Sequence, residues 1–356
     1  MSSHKYELRE NRKRMFGREE MRNESRVANR LKVKPDLRPR DLETLVVLGE
    51  GAFGQVVQVR YLCENPSAVF ALKVVEKRRL KGEALRLAVN ERSVHAQLNH
   101  PFLVKLVRSF QCERRVYFLL EYVPVGDLHN RLQSARRFSV EVALFYACEA
   151  VRALSFFHSS DFVFRDLKPE NVLIDAQGHI KLADFGFAKS LDEGRTFTLC
   201  GTAAYMAPEM LLRYKSEGYS KSVDWWAFGV LLLEMLSGSN PFENKDPMAV
   251  YENIVQMRFA LPKYLSSAVK NLILSLLTRA EKRLGVSDDG ESIMQHEFFN
   301  GVCFEEVLKK NIEAPWIPEL KNITDASNFK DAFGCGNLCS KGFLKTEDQD
   351  AVFQDF

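Results

Sequence analysis

Arg165-Asp166-Leu167-Lys168-Pro169-Glu170-Asn171 and, further on, Asp184-Phe185-Gly186 are the stretches on which the reading of this chain turns. They bring two aspartates, a lysine and an asparagine close together in sequence, and the oxygens of Asn and Asp are hard ligands suited to a divalent cation. Working upstream, Lys73 lies in the apolar run Val69-Phe70-Ala71-Leu72-Lys73, where a merely solvated lysine fits poorly. Gly49-Glu50-Gly51-Ala52-Phe53-Gly54-Gln55-Val56 is a loop whose glycines let backbone N–H groups approach phosphate oxygens. A dinucleotide fingerprint would need a helix straight after Gly54, whereas Val56 to Val59 is β-branched and strand-like.

The surrounding patterns suggest two kinds of layer. Leu45 to Leu48, Val56 to Val59 and Val69 to Val75 read as strands, and Val104 to Val107 and Val116 to Tyr122 continue them. Leu85 to Leu98, carrying Glu91, has helical alternation. After Gly126, which marks a connector, helical patterns dominate at Val140 to Phe157, Val223 to Leu236 and Ala268 to Leu277. The expected fold is α+β, a small antiparallel β lobe with one main helix followed by a larger helical lobe, with a ligand cleft at their junction. The expected divisions are a basic helical extension over 1–40, the small lobe over 41–123, the large lobe over 124–299 and a tail over 300–356.

A chain of 356 residues with 46% apolar and 27% charged residues is globular and long enough for two packed lobes. The net charge of +3 is local in origin, since the forty residues to Arg40 hold 13 Lys+Arg against 6 Asp+Glu and the remainder is net acidic. The body therefore gives no reason to expect nucleic-acid binding. Arg14, Arg18, Arg22, Arg26 and Arg30 recur at helical spacing, as a solvated face or a docking ridge. No membrane span is expected, because the apolar stretch at Trp225 to Leu236 is short and bracketed by Asp224 and Glu234. Seven scattered cysteines suit a reducing compartment, so a cytoplasmic location is expected, with the nucleus open as a second; Cys335 and Cys339 are read as free thiols.

Lys73, Glu91, Asp166, Asn171 and Asp184, in this order and in these motifs, resemble the signature set of protein kinases. The resemblance implies that Lys73 bridges the α- and β-phosphates of ATP and is held by Glu91, that Asp166 handles the proton of the substrate hydroxyl, and that Lys168 steadies the γ-phosphate. Asn171 and Asp184 are then the ligands of Mg2+. The expected ATP-binding set is Gly49, Glu50, Gly51, Ala52, Phe53, Gly54, Gln55, Val56, Ala71, Lys73, Glu91, Glu121, Val123, Asp127, Leu173 and Asp184. Glu209 is expected to pair with Arg283, and Asp224 to brace the catalytic loop.

Asp184-Phe185-Gly186-Phe187-Ala188-Lys189, Arg195-Thr196-Phe197-Thr198-Leu199-Cys200-Gly201-Thr202 and Asp224-Trp225-Trp226 resemble the AGC group of Ser/Thr kinases, and within it the catalytic subunits of cAMP-dependent protein kinases. Pro315-Trp316-Ile317-Pro318, Ser327-Asn328-Phe329 and the terminal Phe353-Gln354-Asp355-Phe356 extend the likeness to the last residue. It implies that Phe329 covers the adenine and that Phe353 and Phe356 fill a groove on the small lobe. Thr198 becomes the activation-loop phosphosite, clamped by Arg165 and Lys189, and its own basic-then-hydrophobic setting suggests that the enzyme phosphorylates itself. Asp127, Glu170 and Glu234 would read basic residues before the target Ser/Thr, with Leu199, Thr202, Ala203 and Met206 contacting the target and the residue after it. Phe197 and Tyr251 fall where the family meets a cyclic-nucleotide-binding regulatory subunit.

The chain departs from this pattern in several places. Ala203-Ala204 stands for Pro-Glu, Asp127 for a longer Glu, Ala332 for a Tyr, and Phe197 for a Trp. Leu87 replaces a His that would touch the loop phosphate, Phe164 replaces Tyr or His, and His95 falls where an apolar packing residue is usual. Arginine selectivity is accordingly expected to be weaker or shifted in position. The readings carried forward are a basophilic Ser/Thr kinase of cAMP-dependent type, an AGC kinase under another regulator, and a nucleotide-binding scaffold without transfer.

Overall fold

The computed structural model describes residues 37, 41–51, 54–62, 68–79, 83–112, 114–191, 194–212, 216–322, 324–329 and 333–334. The chain divides into two compact units, one drawn from Met1–Leu85, Lys105–Gly126 and Pro318–Phe356, the other from Arg86–Val104 and Asp127–Ile317. The α+β class follows from their contents.

The first unit is built on a six-stranded antiparallel sheet in the order β10-β1-β2-β3-β5-β4. Its strands are β1 (Leu42–Gly51), β2 (Gly54–Tyr61), β3 (Val69–Glu76), β4 (Leu106–Gln111), β5 (Arg115–Glu121) and β10 (Phe333–Gly334). Alternation divides each strand between two faces. Val57, Val59, Tyr61, Phe70, Leu72, Val74, Tyr117 and Leu119 bury one face in a common core. Val56, Ala71 and Leu120 turn to the other, where they meet Leu48, Tyr122, Ala326 and Phe329. The strand expected at Val104 to Val107 is displaced: Val104 is outside the sheet and β4 begins at Leu106, because the Val104 N–H donates instead to the carbonyl of Leu182 at 2.9 Å. Tail residues return to this sheet, with Gln58 Nε2 donating to Thr324 O at 3.2 Å and Tyr122 Oη to Asp325 O at 2.9 Å.

The second unit is mainly helical. Its principal helices are α1 (Glu83–Gln97, counted with this unit from Arg86), α2 (Leu128–Ala135), α3 (Val140–Ser159), α4 (Pro208–Leu212), α5 (Ser222–Ser237), α6 (Pro247–Val255) and α7 (Ser267–Leu276). Ser139 and Ser266 cap α3 and α7 by accepting the N–H groups of Val142 and Val269. The whole of α5 from Ser222 to Leu236 is buried, which explains its apolar run without a membrane; no helix among the described residues is long and apolar enough to cross one. Helices α2 and α6 were not anticipated. Each starts on an Asp cap, Asp127 or Asp246, but α2 carries few apolar residues and α6 is short, so neither has a strong helical period. Two small ribbons, β6 (Phe162–Val163) with β9 (Lys189–Ser190) and β7 (Val172–Ile174) with β8 (Ile180–Leu182), complete the unit.

Candidate active site

Within the second unit, the loop from Phe164 to Asn171 is held from beneath by one carboxylate at the head of α5. Asp224 Oδ2 accepts the N–H of Phe164 at 2.8 Å and meets His158 Nε2 at 2.8 Å, while Oδ1 accepts the N–H of Arg165 at 2.8 Å. That brace was expected from the sequence. It holds Arg165 at a φ of 71°, a left-handed conformation that a non-glycine residue adopts only when its surroundings demand it.

Asp166 is nearly closed off from solvent and its two oxygens are shared among three partners. Oδ1 accepts from the Thr202 hydroxyl at 2.9 Å; Oδ2 accepts from Asn171 Nδ2 at 2.8 Å and lies 3.0 Å from Lys168 Nζ. Lys168 Nζ also donates to Thr202 Oγ1 at 2.7 Å, which places Thr202 beside Asp166 and Lys168. Asn171 Nδ2 donates in addition to Asp166 O at 2.8 Å, so the amide orientation is set and Oδ1 is left as its acceptor. Gly201 permits the approach of this segment: at φ 98° a Cβ there would lie 2.6 Å from Arg165 O.

Asp184 opens the next turn at φ 60°. Phe185 anchors it, with ring centroids 4.2 Å from His95, 5.4 Å from Phe157 and 6.0 Å from Phe164. His95 is thus a packing residue on α1, and Phe164, in place of the family's Tyr or His, packs its ring against Phe185. The Glu91 carboxylate reaches the same turn: a Cβ on Gly186 would stand 3.4 Å from Asp184 Oδ1 and 3.9 Å from Glu91 Oε2. Asn171 and Asp184 together offer an amide oxygen and a carboxylate, a donor set that fits a hard divalent cation. Leu173 sits on β7 and bridges to Asp127.

The residues proposed to meet a peptide have diverse surroundings. Asp127 caps α2, its two oxygens accepting from Asn130 N at 2.7 Å and Nδ2 at 2.9 Å. Glu170 is exposed and Glu234 is buried under the Tyr205 hydroxyl, which donates to it. Burial, with Glu170 and Glu243 nearby, pushes the Glu234 carboxyl up to about 7. Leu199 is exposed, whereas Met206 is buried. Thr198 is half-buried, with its carbonyl accepting from Tyr219 Oη at 2.5 Å.

Thr196 is the residue the sequence did not single out. It is fully buried, and its hydroxyl receives Arg165 Nη1 at 3.3 Å and Lys189 Nζ at 3.2 Å, so the two cations converge one residue from Phe197 and two from Thr198. The alternation Arg195-Thr196-Phe197-Thr198 was the available signal, since it turns Thr196 and Thr198 to the same side. The expected Glu209–Arg283 pair is present as a two-pronged contact at 2.5 and 3.0 Å.

In the first unit, Val56, Ala71 and Phe329 share one apolar cluster, and Phe329 stacks near Tyr122 with centroids 6.2 Å apart. The cluster adds Leu48, Leu120, Tyr122 and Ala326, none of which the sequence marked. Lys73 lies on β3 opposite Val56 and beyond Ala71 on the same face. Gly49, Glu50 and Gly51 end β1, Gly54 and Gln55 begin β2, and Val123 is buried after β5. Glu121 Oε1 accepts the Lys105 N–H at 2.7 Å. Ala52, Phe53, Ala332, Cys335, Cys339, Phe353, Phe356, the arginines of the first forty residues and the Leu87 side chain lie outside the described residues.

Residues 42–299 match the model of the protein kinase domain. The chain is 42% identical over 295 residues to the cAMP-dependent protein kinase catalytic subunit PRKX of Homo sapiens, covering 82% of this chain and 80% of that protein. It is 40% identical over 298 residues to the cAMP-dependent protein kinase catalytic subunit of Dictyostelium discoideum, covering 82% and 45%. It is also 40% identical over 298 residues to the RAC family serine/threonine-protein kinase homolog of that organism, covering 82% and 65%. A loop that gathers Asp166, Lys168, Asn171 and Thr202, inside a domain so matched, belongs to the protein kinase family, and the chain is a Ser/Thr protein kinase of the AGC group.

Proposed function

We propose that the chain transfers the γ-phosphate of ATP to Ser or Thr in protein substrates with basic residues before the target, under the control of a cyclic-nucleotide-binding regulatory subunit. The observation that carries the chemistry is the network on Asp166. Its Oδ2 is occupied by Lys168 and Asn171, while Oδ1, among the described residues, takes the exchangeable Thr202 hydroxyl. A substrate hydroxyl entering at Oδ1 gives its proton to, or is oriented by, that oxygen. Lys168, already within reach of Asp166, steadies the transferred phosphate. Lys73, Glu91, Gly49 to Val56, Glu121, Val123, Asp127 and Leu173 hold the nucleotide, with Val56, Ala71 and Phe329 as an apolar surface for its base. Asn171 and Asp184 would hold the divalent cation, Mg2+ by expectation, which supplies charge neutralisation on the phosphates.

Basic-residue selectivity is assigned to Glu234, a carboxylate that burial, with Glu170 and Glu243 nearby, pushes up to about 7 and that a substrate cation would favour in its charged form. Arg165, Lys189 and Thr196 provide a cationic seat for a phosphate on Thr198, and the chain's own activity is proposed to place it there. The regulatory-subunit proposal is supported by the half-exposed Phe197 and partly exposed Tyr251 of the second unit. We assign the protein to the cytoplasm, with the nucleus as a second compartment. A second reading, an AGC kinase under a different regulator, is favoured by the near-equal identity to the RAC family homolog.

The test is transfer of labelled phosphate to an Arg-Arg-x-Ser-hydrophobic peptide, with and without excess cAMP-free regulatory subunit. Transfer is expected, falling about 10²–10⁴-fold in Asp166→Asn, and suppression by the subunit is expected. Transfer that ignores the subunit selects the second reading; no transfer by Thr198-phosphorylated protein leaves the scaffold. Equal Thr198 phosphate in wild type and Asp166→Asn would assign that modification to another kinase.

A further inference from the structure

The ribbon between Asn171 and Asp184 is short, and apart from its turn, where Asp175 N–H donates to His179 O at 2.8 Å, it holds few contacts of its own. β7 and β8 pair through three residues each, Val172 with Leu182, Leu173 with Lys181 and Ile174 with Ile180. A two-stranded ribbon of that size has little stability alone, and a slip of one residue turns its side chains over. Yet Asn171 runs directly into β7, Asp184 follows β8, and Ala183 N–H donates to Asn171 O at 2.9 Å. The register of the ribbon therefore sets the offset between the two oxygen ligands.

What fixes it lies along the outer edge of β8. Leu182 N–H donates to Phe102 O at 2.8 Å, and Ile180 N–H donates to Glu149 Oε2, on α3, at 2.8 Å. The other oxygen of Glu149 shares a hydrogen bond of 2.5 Å with His179 Nδ1. Both side chains are buried. Burial pushes the Glu149 carboxyl up, with the His179 ring opposing it. The far turn is secured separately, by Lys310 Nζ on Asp175 Oδ2 at 2.8 Å and by Gly178, where a Cβ would lie 2.3 Å from Trp316 O. A carboxylate is costly to bury, and this one holds with its two oxygens the side chain of His179 and the N–H of Ile180, the residue before β8 and its first residue.

We propose that Glu149 and His179 are positioning residues for phosphoryl transfer: gripping residues 179 and 180 together, they lock the β7–β8 register and so the offset of Asn171 from Asp184. This rests on the metal-holding role proposed above for those two residues.

The experiment compares His179→Phe, which keeps a ring beside Phe145 but cannot bond, with His179→Asn and Glu149→Gln, which keep hydrogen-bonding groups in place. Three quantities are read: kcat with the Arg-Arg-x-Ser-hydrophobic peptide, the affinity of nucleotide-bound protein for Mn2+ by electron paramagnetic resonance, and the thermal midpoint. His179→Phe is expected to weaken Mn2+ binding and kcat by about tenfold each, in protein that remains folded, while His179→Asn and Glu149→Gln stay within about threefold of wild type. If His179→Phe does not fold, Glu149→Leu takes its place in the comparison. Unchanged Mn2+ affinity in the folded variant, or losses that merely track the unfolded fraction, would overturn the proposal. Absence of transfer by the wild type would remove the kinase reading instead, and the Mn2+ measurement would still decide the positioning one.

Discussion

Asp224 and Glu234 sit at opposite ends of α5, both buried and both carboxylates, and their surroundings assign them opposite tasks. Asp224 is met by His158 and by the N–H groups of Phe164 and Arg165, so its acceptor capacity is used within the chain. Glu234 is raised in proton affinity first by burial and then by Glu170 and Glu243 nearby, against the opposing hydrogen bond from the Tyr205 hydroxyl. A carboxylate supplied with donors is a brace; one buried beside other acids is, in the function proposed above, the seat for a basic residue of the substrate. A guanidinium, with its paired N–H groups, is the complementary partner.

The comparison breaks first at Asp224. Replacing it by Ala leaves two buried backbone N–H groups and His158 without their acceptor, and is expected to lower unfolding stability by about 3–5 kcal/mol, read by denaturant titration. A loss below about 1 kcal/mol would show that the brace is dispensable.

Glu234→Gln is expected to act in the other direction on stability. The folded-state pKa near 7 lies above the ordinary carboxylate value of 4.5, so the folded protein binds the proton more tightly. The contribution of this group is then most favourable at low pH and is lost as pH rises through about 7. The variant should therefore match wild type near pH 4 and exceed it by roughly 1–3 kcal/mol at pH 8. Its KM for an arginine-containing peptide should be higher at pH 8 and flat with pH, whereas wild-type KM should rise as pH falls below about 7 and Glu234 takes up a proton. A wild-type KM that does not change between pH 8 and 6 would separate Glu234 from arginine recognition.

Asp127 gives the smallest expected effect and sharpens the comparison, because it is a cap and a proposed recognition residue at once. Asp127→Ala should cost about 1 kcal/mol of stability through the lost cap. Asp127→Asn retains an acceptor for Asn130 N–H, so it should keep stability while raising KM for basic peptides. Equal KM for Asn and wild type would leave the cap as its whole role.

Much of the site was legible in sequence because kinase chemistry is written in short local motifs. Asp166, Lys168 and Asn171 are neighbours on one loop, and the apolar run of α5 declared a buried helix. The Asp224 brace and the Glu209–Arg283 pair were also recovered, since each member carries its own motif. Thr196, Tyr205, Tyr219 and the Glu149–His179 pair were not, for their partners lie on other elements and no local pattern joins them. Thr202 was expected at the substrate, but its hydroxyl also bonds Asp166 and Lys168, a contact that requires the Gly201 approach.

By itself the sequence determined which residue types the chemistry can draw on, the order of the main strands and helices, and the kinase family, because periodicity and motif spacing are properties of the chain. Only the tertiary structure decided which of several similar carboxylates became a brace, a cap or a buried acid of raised proton affinity. That choice depends on the donors and dielectric each one meets after folding, and those come from residues distant in the chain.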